Sequence, residues 1–115
     1  MTVNFQKIFF FLIHFSEMQL SNVLTKIDEK YAETSRMIAQ NDVRENPIEY
    51  HKAQGMNDVY RSAVGRPSGV NIGVASSMLD EYTSVLTTLT EDTEIEKQQG
   101  MIIALKYIMA LLEEK

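Results

Sequence analysis

The chain of 115 residues is long enough for one domain with its own hydrophobic core. Its 44 % apolar and 23 % charged content is typical of a folded globular protein. The chain has 11 Lys and Arg residues and 16 Asp and Glu residues, so its formal net charge is −5. Because nucleic-acid binding needs several cations on one surface, we expect no direct nucleic-acid binding. The absence of cysteine excludes disulfides, thiolate metal sites and cysteine nucleophiles, and it favours a cytoplasmic protein.

The first 17 residues differ in composition from the rest of the chain. They hold all five phenylalanines: Phe5, Phe9, Phe10, Phe11 and Phe15. The apolar run over 8–15 is too short for a membrane span, which needs about 20 residues, and no clear signal-peptide cleavage pattern follows it. Two interpretations stay open. One is a translation start assigned too early, with Met18 as the native first residue, and the other is an additional N-terminal helix that docks on the core or on a partner.

Residues 18–115 are predicted to form a single all-α domain, a small bundle of four amphipathic helices. The first helix is predicted over 21–40, with Ser21 as its N-cap. The second is predicted to begin at 46–49, where Asn-Pro-Ile-Glu supplies a cap, a proline at the first helical position and a glutamate that can reach back to the cap. We expect it to end near residue 64, with Gly65 in the left-handed conformation.

A loop over 65–73 precedes the third helix, which is predicted over about 72–89. Arg66, Ser68 and Asn71 of this loop are candidate interaction residues. Glycine-opened backbone N–H groups ahead of a helix can hold an anion, and the same loop could instead contact a protein partner. The loop lacks the Walker A spacing and a lysine, so a plain connection whose glycines serve the turn is the alternative.

The fourth helix is predicted to begin near residues 90–92, where an acidic run suits the positive end of a helix dipole. Its apolar residues extend beyond one face. Ile103, Ile108 and Leu111 widen the main stripe, and they are candidate interaction residues. A helix of this kind is either central in the bundle or shared with a second subunit, so we expect a homo-oligomer or a protein partner.

Two segments, 49–56 and 94–101, share the pattern Glu-x-x-Lys-x-Gln-Gly-Met at an offset of 45 residues. Either a duplicated helical unit or a chance similarity between two amphipathic helices explains the pattern. Glycine in a helix interior costs about 1 kcal/mol relative to alanine, so it often marks a close approach of two backbones. Gly55 and Gly100 are therefore candidate helix-crossing residues that could face each other.

No catalytic residue, cofactor or metal ligand is predicted, and we expect a protein that is not an enzyme. His14 and His51 lack the spacing of a zinc site, and no GxSxG, Walker A or GxGxxG pattern is present. The carboxylates at 80–81 and 91–96 could in principle serve acid–base chemistry or bind a divalent cation. They fall, however, where a solvated helix face or a helix N-terminus is expected.

The C-terminal segment IEKQQGMIIALKYIMALLEEK resembles the closing helix of many small phage- and prophage-encoded proteins. Those helices often carry a charged residue, a glycine, an apolar residue and a leucine at helical spacing. The resemblance implies a phage accessory or virion protein, or a small inhibitor of a host system, in the host cytoplasm or in the virion. It carries over no functional residues.

Three functions are therefore considered. The first is a non-catalytic structural or protein-interaction protein, such as a phage virion or assembly component. The second is a small acidic anti-defence (anti-CRISPR-like) inhibitor that occupies a basic site on a host enzyme or nucleic-acid-binding complex. The third is a small enzyme that uses carboxylates and a divalent metal. An inhibitor of this kind should gather its carboxylates on one face, whereas an adaptor should expose apolar patches.

Overall fold

The computed structural model describes the backbone of residues 3–113 and the side chains of residues 19–113. Its four α-helices are α1 (Val3–Gln40), α2 (Pro47–Gly65), α3 (Ile72–Leu86) and α4 (Asp92–Glu113), with a 3₁₀ turn at Pro67–Gly69. The described backbone contains no strand. The prediction of an all-α bundle of four helices is confirmed, and no described helix is long and apolar enough to cross a membrane. Both interpretations of the Phe-rich segment depend on side chains outside the described residues.

Helix α1 begins at Val3, earlier than predicted, and it runs through residue 21 without a break. The prediction that Ser21 is an N-cap was wrong. Ser21 lies inside the helix, and its carbonyl oxygen accepts a hydrogen bond from Thr25 Oγ1 at 3.0 Å. The sequence has neither glycine nor proline before Pro47, so nothing in it interrupts the helix near residue 21.

Helix α2 begins at Pro47 as predicted, but both of its ends differ in detail. The Asn46 side chain makes no capping hydrogen bond, so the predicted capping box does not form. Gly65 belongs to the helix and does not have a positive φ, so its predicted left-handed conformation was wrong. The N–H of Arg66 still donates to the carbonyl oxygen of Ser62, and the helix then stops because Pro67 has no N–H to donate.

Helix α3 has Asn71 as its N-cap, and it ends at Leu86, earlier than predicted. The Asn71 side-chain oxygen accepts a hydrogen bond of 2.9 Å from the N–H of Val74. At the other end, the hydroxyls of Thr87 and Thr88 donate to backbone carbonyl oxygens of the last turn, at 2.7 Å each. Threonine hydroxyls that bind nearby carbonyls offer the chain an alternative to further helix.

Helices α2 and α4 occupy the centre of the bundle. Helix α1 packs on α2, where Asn57 Nδ2 donates to Thr34 Oγ1 at 3.0 Å and to Ser35 Oγ at 2.9 Å. Helix α3 packs on α4, where Gln98 Nε2 donates to the Tyr82 carbonyl oxygen at 3.0 Å. Helix α4 also contacts α1 and α2, so it has neighbours on three sides.

The central position of α4 corrects two of the candidate interaction residues. Ile108 and Leu111 are only 4 % and 7 % exposed and belong to the hydrophobic core, together with Ile27 and Tyr60. They were predicted to be available to a partner because periodicity cannot distinguish a central helix from one at a subunit interface. Ile103 is 45 % exposed and is the one member of that set on the surface. The apolar excess of α4 therefore gives no argument for a homo-oligomer.

Candidate functional site

Gly55 and Gly100 both lie buried where α2 meets α4. A Cβ atom on Gly55 would overlap the carbonyl oxygen of Lys97, and one on Gly100 would overlap the carbonyl oxygen of Lys52. The two backbones approach so closely that only a hydrogen atom fits at these positions. Each glycine thus faces the lysine that lies one turn before the other glycine, rather than the other glycine itself.

The contacts between α2 and α4 have an approximate two-fold symmetry. The Gly55–Lys97 and Gly100–Lys52 contacts are reciprocal under the 45-residue offset of the repeated pattern. His51 and Glu96 occupy equivalent positions in the two segments, and they contact each other, with 2.8 Å between Nδ1 and Oε2. A residue that contacts its own equivalent lies on the symmetry axis. The His51–Glu96 pair therefore marks a pseudo-two-fold axis between the helices.

Helix α4 runs in the same direction as α2, so the axis lies along them. The rings of Tyr60 and Tyr107, further along both helices than His51 and Glu96, are 6.2 Å apart. Antiparallel helices in contact at His51 and Glu96 would carry these two tyrosines in opposite directions. Both helices therefore begin at the same end of the bundle.

Helix ends and burial repeat with the same offset. Helix α2 begins at Pro47 and α4 at Asp92, while α1 ends at Gln40 and α3 one residue past the equivalent position, at Leu86. Three equivalent pairs also match in exposure: Val59 and Ala104 are buried, Tyr60 and Leu105 are buried, and Arg61 and Lys106 are exposed. The structure thus favours a duplicated helical unit, α1–α2 followed by α3–α4, over a chance similarity.

The surroundings of the His51–Glu96 pair are those of a structural contact. The two side chains are 15 % and 16 % exposed. Because an ionised carboxylate only accepts hydrogen bonds, His51 Nδ1 carries the proton that Glu96 accepts. Tyr50 lies edge-on to the imidazole ring, with 5.8 Å between ring centroids.

The buried tyrosine of α2 has the strongest electrostatic perturbation in the described part of the chain. Tyr60 is 1 % exposed, and burial raises its pKa to about 12, with further contributions from Tyr107 and Glu33. Burial also raises the pKa of Tyr82, helped by the charge of Glu81. Both shifts keep the phenols neutral, which suits packing rather than acid–base chemistry.

The carboxylates and histidines do not converge on a metal site in the described residues. No group of three or more His, Asp or Glu side chains there is placed to hold a metal ion. The acidic residues at 80–81 lie exposed on α3, and those at 91–94 lie exposed where α4 begins.

The loop that holds Arg66, Ser68 and Asn71 uses several of its polar groups in hydrogen bonds within the chain. The side chain of Asn71 caps α3, and the N–H groups of Gly69 and Val70 donate to carbonyl oxygens within the loop. Arg66 and Ser68 are exposed. These backbone donors are thus used within the chain, and no described glycine has a positive φ. The loop connects the helical hairpin α1–α2 to the helical hairpin α3–α4.

One end of the bundle concentrates negative charge, and sequence patterns alone missed it. We define the acidic end as the last turns of α1 and α3, the loops that follow them, and the first residues of α2 and α4 (37–50 and 83–95). Its carboxylates are Asp42, Glu45, Glu49, Glu91, Asp92 and Glu94, all exposed. Arg44 is the one Lys or Arg in these ranges. The carboxylates lie at the same end because α2 and α4 run in the same direction.

An open groove of about 420 Å³ follows one face of α1. Its described lining consists of Leu20, Ser21, Leu24, Thr25 and Asp28, all from this single helix. A small-molecule site normally encloses its ligand, and this open groove does not.

Comparison with family models, with curated proteins and with solved structures finds no match to this chain. By its own geometry, the chain is a four-helix bundle built from two helical hairpins, α1–α2 and α3–α4.

Proposed function

We propose that this protein is a non-catalytic protein-interaction protein that binds a basic surface of a partner protein through its acidic end. The observation that carries the proposal is the distribution of charge. The acidic end holds six carboxylates and one guanidinium, which matches the whole formal net charge of −5. The remaining chain has ten acidic and ten basic residues, because six of 16 and one of 11 lie at this end.

Helix stabilisation accounts for only part of this charge. Glu49 lies in the first turn of α2, and Asp92 and Glu94 lie in the first turn of α4. A helix N-terminus is equivalent to about half a positive charge, so two of them balance roughly one carboxylate. Most of the negative potential at the acidic end is therefore left to act on solvent and on a partner.

Apolar residues are exposed among these carboxylates. Val43, Ile48 and Val85 are 42 %, 51 % and 39 % exposed, and all three lie in the ranges that define the acidic end. Protein interfaces typically combine apolar contacts with a charged rim that orients the partner. The acidic end has both components, which supports a protein partner over free cations.

Among the interaction functions, the charge distribution favours a small acidic inhibitor that occupies a basic site on a host enzyme or nucleic-acid-binding complex. Such an inhibitor is expected to gather its carboxylates on one face, as these six are gathered. A phage structural or assembly role has the support of the C-terminal resemblance, but the described surface offers few apolar contacts outside the acidic end: Ile72, Val74 and Ile103.

The proposal is tested with a fluorescent peptide rich in lysine and arginine as the probe, by anisotropy at low salt. The variant Asp42→Asn/Glu45→Gln/Glu91→Gln removes three charges from the acidic end and leaves the first turns of α2 and α4 intact. Each exposed ion pair contributes little, so we expect binding to weaken by about tenfold for three of them together.

The matched control removes the same charge from elsewhere on the surface, in the variant Asp28→Asn/Asp80→Asn/Glu81→Gln. These residues are exposed and lie outside the acidic end. We expect the control to bind the peptide nearly as tightly as the wild type. Equal loss of binding in both variants would show that only the total charge matters, and the proposal would then be wrong.

A further inference from the structure

We propose that the His51–Glu96 pair favours association of α2 with α4 over association of two like helices, because the contact on the pseudo-two-fold axis joins an imidazole to a carboxylate. A duplicated fold raises a problem of specificity. The glycine-to-lysine contacts between α2 and α4 use equivalent residues from both helices. The same contacts would form if α2 met the α2 of a second copy, or if α4 met another α4.

The axis is where like pairing would bring identical residues into direct contact. The ion pair between Lys97 Nζ and Asp58 Oδ2, at 3.4 Å, is a second contact between α2 and α4 that the offset does not repeat, because Ile103 stands at the position equivalent to Asp58. A residue on a two-fold axis meets its own copy when two identical helices pair. Pairing of two α4 helices would therefore bring one Glu96 against another, and neither carboxylate could donate a hydrogen bond. Like charges at hydrogen-bond distance also repel each other, and at 16 % exposure water screens this repulsion poorly.

Pairing of two α2 helices is also unfavourable. It would bring one His51 against another and remove the carboxylate that accepts the Nδ1 proton at 2.8 Å. Only α2 with α4 places an imidazole donor against a carboxylate acceptor on the axis. In this respect the pair resembles a polar residue inside a coiled coil, which selects the partner and its register.

Single substitutions reproduce the two like contacts inside one full-length chain. His51→Glu places two carboxylates across the axis, and Glu96→His places two imidazoles there. We expect both variants to unfold at lower urea concentration than the wild type at neutral pH, with the larger decrease for His51→Glu. His51→Gln, whose amide can still donate to Glu96, is the control, and we expect a smaller decrease.

The double variant His51→Glu/Glu96→His restores an unlike pair with its two residues exchanged. If the pair lies on an axis between equivalent environments, the exchange should recover more than half of the decrease seen in His51→Glu. If the surroundings of the two positions are not equivalent, the recovery should be less than half, since each residue would be foreign to its new site. If the double variant unfolds at the urea concentration expected from adding the two single decreases, the proposal is overturned.

Discussion

Replacing Gly100 by alanine tests how closely α2 approaches α4. The new Cβ atom would overlap the carbonyl oxygen of Lys52 and would come within 2.9 Å of the Lys52 Cα atom. These are backbone atoms, so no side-chain rotation can relieve the overlap. The two helices must instead move apart along their contact.

The expected change in the free energy of unfolding is the difference between two opposing effects. Alanine is favoured over glycine in a helix interior by about 1 kcal/mol. Forcing extra atoms into a close-packed contact typically costs about 1–3 kcal/mol, and the backbone position of the clash places this substitution at the upper end or beyond. We therefore expect Gly100→Ala to lower the free energy of unfolding by about 1–3 kcal/mol, a large part of the stability of a small domain.

Equilibrium urea unfolding followed by circular dichroism at 222 nm measures this change. Gly65→Ala is the matched control, because Gly65 also lies in a helix and a Cβ atom there meets nothing within 4 Å. We expect the control to be neutral or slightly stabilised. The reasoning would be refuted if Gly100→Ala were as stable as Gly65→Ala.

The symmetry of the contact adds a second result to the same experiment. Gly55→Ala would overlap the carbonyl oxygen of Lys97 and should destabilise to a similar extent. Once one alanine has separated the helices, the second meets less resistance, so the double variant should lose less stability than the two single losses added together. Full additivity would mean that the two glycines belong to independent contacts.

Three further predictions concern capping, pH and metals. Asn71→Ala removes the acceptor for the Val74 N–H and should cost about 1 kcal/mol in urea unfolding, whereas Asn46→Ala, which loses no cap bond, should cost clearly less. The pKa of Tyr60 is raised to about 12 from 10.0, so the stability that this neutral phenol contributes is complete below pH 10 and is lost as the pH rises toward 12. Tyr60→Phe should flatten that decline in a series of unfolding curves, and an unchanged decline would assign it to other groups. Millimolar Mg²⁺, Mn²⁺ or Ca²⁺ should leave the thermal unfolding temperature unchanged, and an increase with any of them would favour the metal-dependent enzyme instead.

Local sequence signals predicted the elements that depend on local chemistry. Pro47 identified the start of α2, and the acidic run identified the start of α4 at Asp92. The repeated Gln-Gly-Met pattern singled out Gly55 and Gly100, because a glycine in a helix interior is unfavourable unless something requires it.

The errors arose where tertiary packing or competing local bonds decide the outcome. Ser21 can cap a helix, but it was preceded by residues that also form helix. Gly65 was expected beyond the end of α2 in a left-handed conformation, but it lies inside the helix without a positive φ. The helix ends because Pro67 has no N–H to donate, and no left-handed residue is needed. Ile108 and Leu111 were assigned to a partner because periodicity reports which residues are apolar and not what covers them.

The acidic end was not recognised from the sequence, although each of its carboxylates was visible there. Its two halves, at 37–50 and 83–95, are far apart along the chain. They come together because α2 and α4 run in the same direction, and that direction follows from the contacts at His51–Glu96 and Tyr60–Tyr107. A chain with the same helices and an antiparallel α4 would have placed half of this charge at the opposite end.

A chemical-shift titration of the ¹⁵N-labelled full-length protein with the lysine- and arginine-rich peptide tests whether the acidic end is the contact surface. We expect the amide signals of 37–46, 48–50 and 83–95 to shift together and to saturate with one dissociation constant, and we expect added salt to reverse the shifts. Shifts centred on other exposed residues, or spread evenly over the surface, would contradict the assignment of the acidic end as the contact surface.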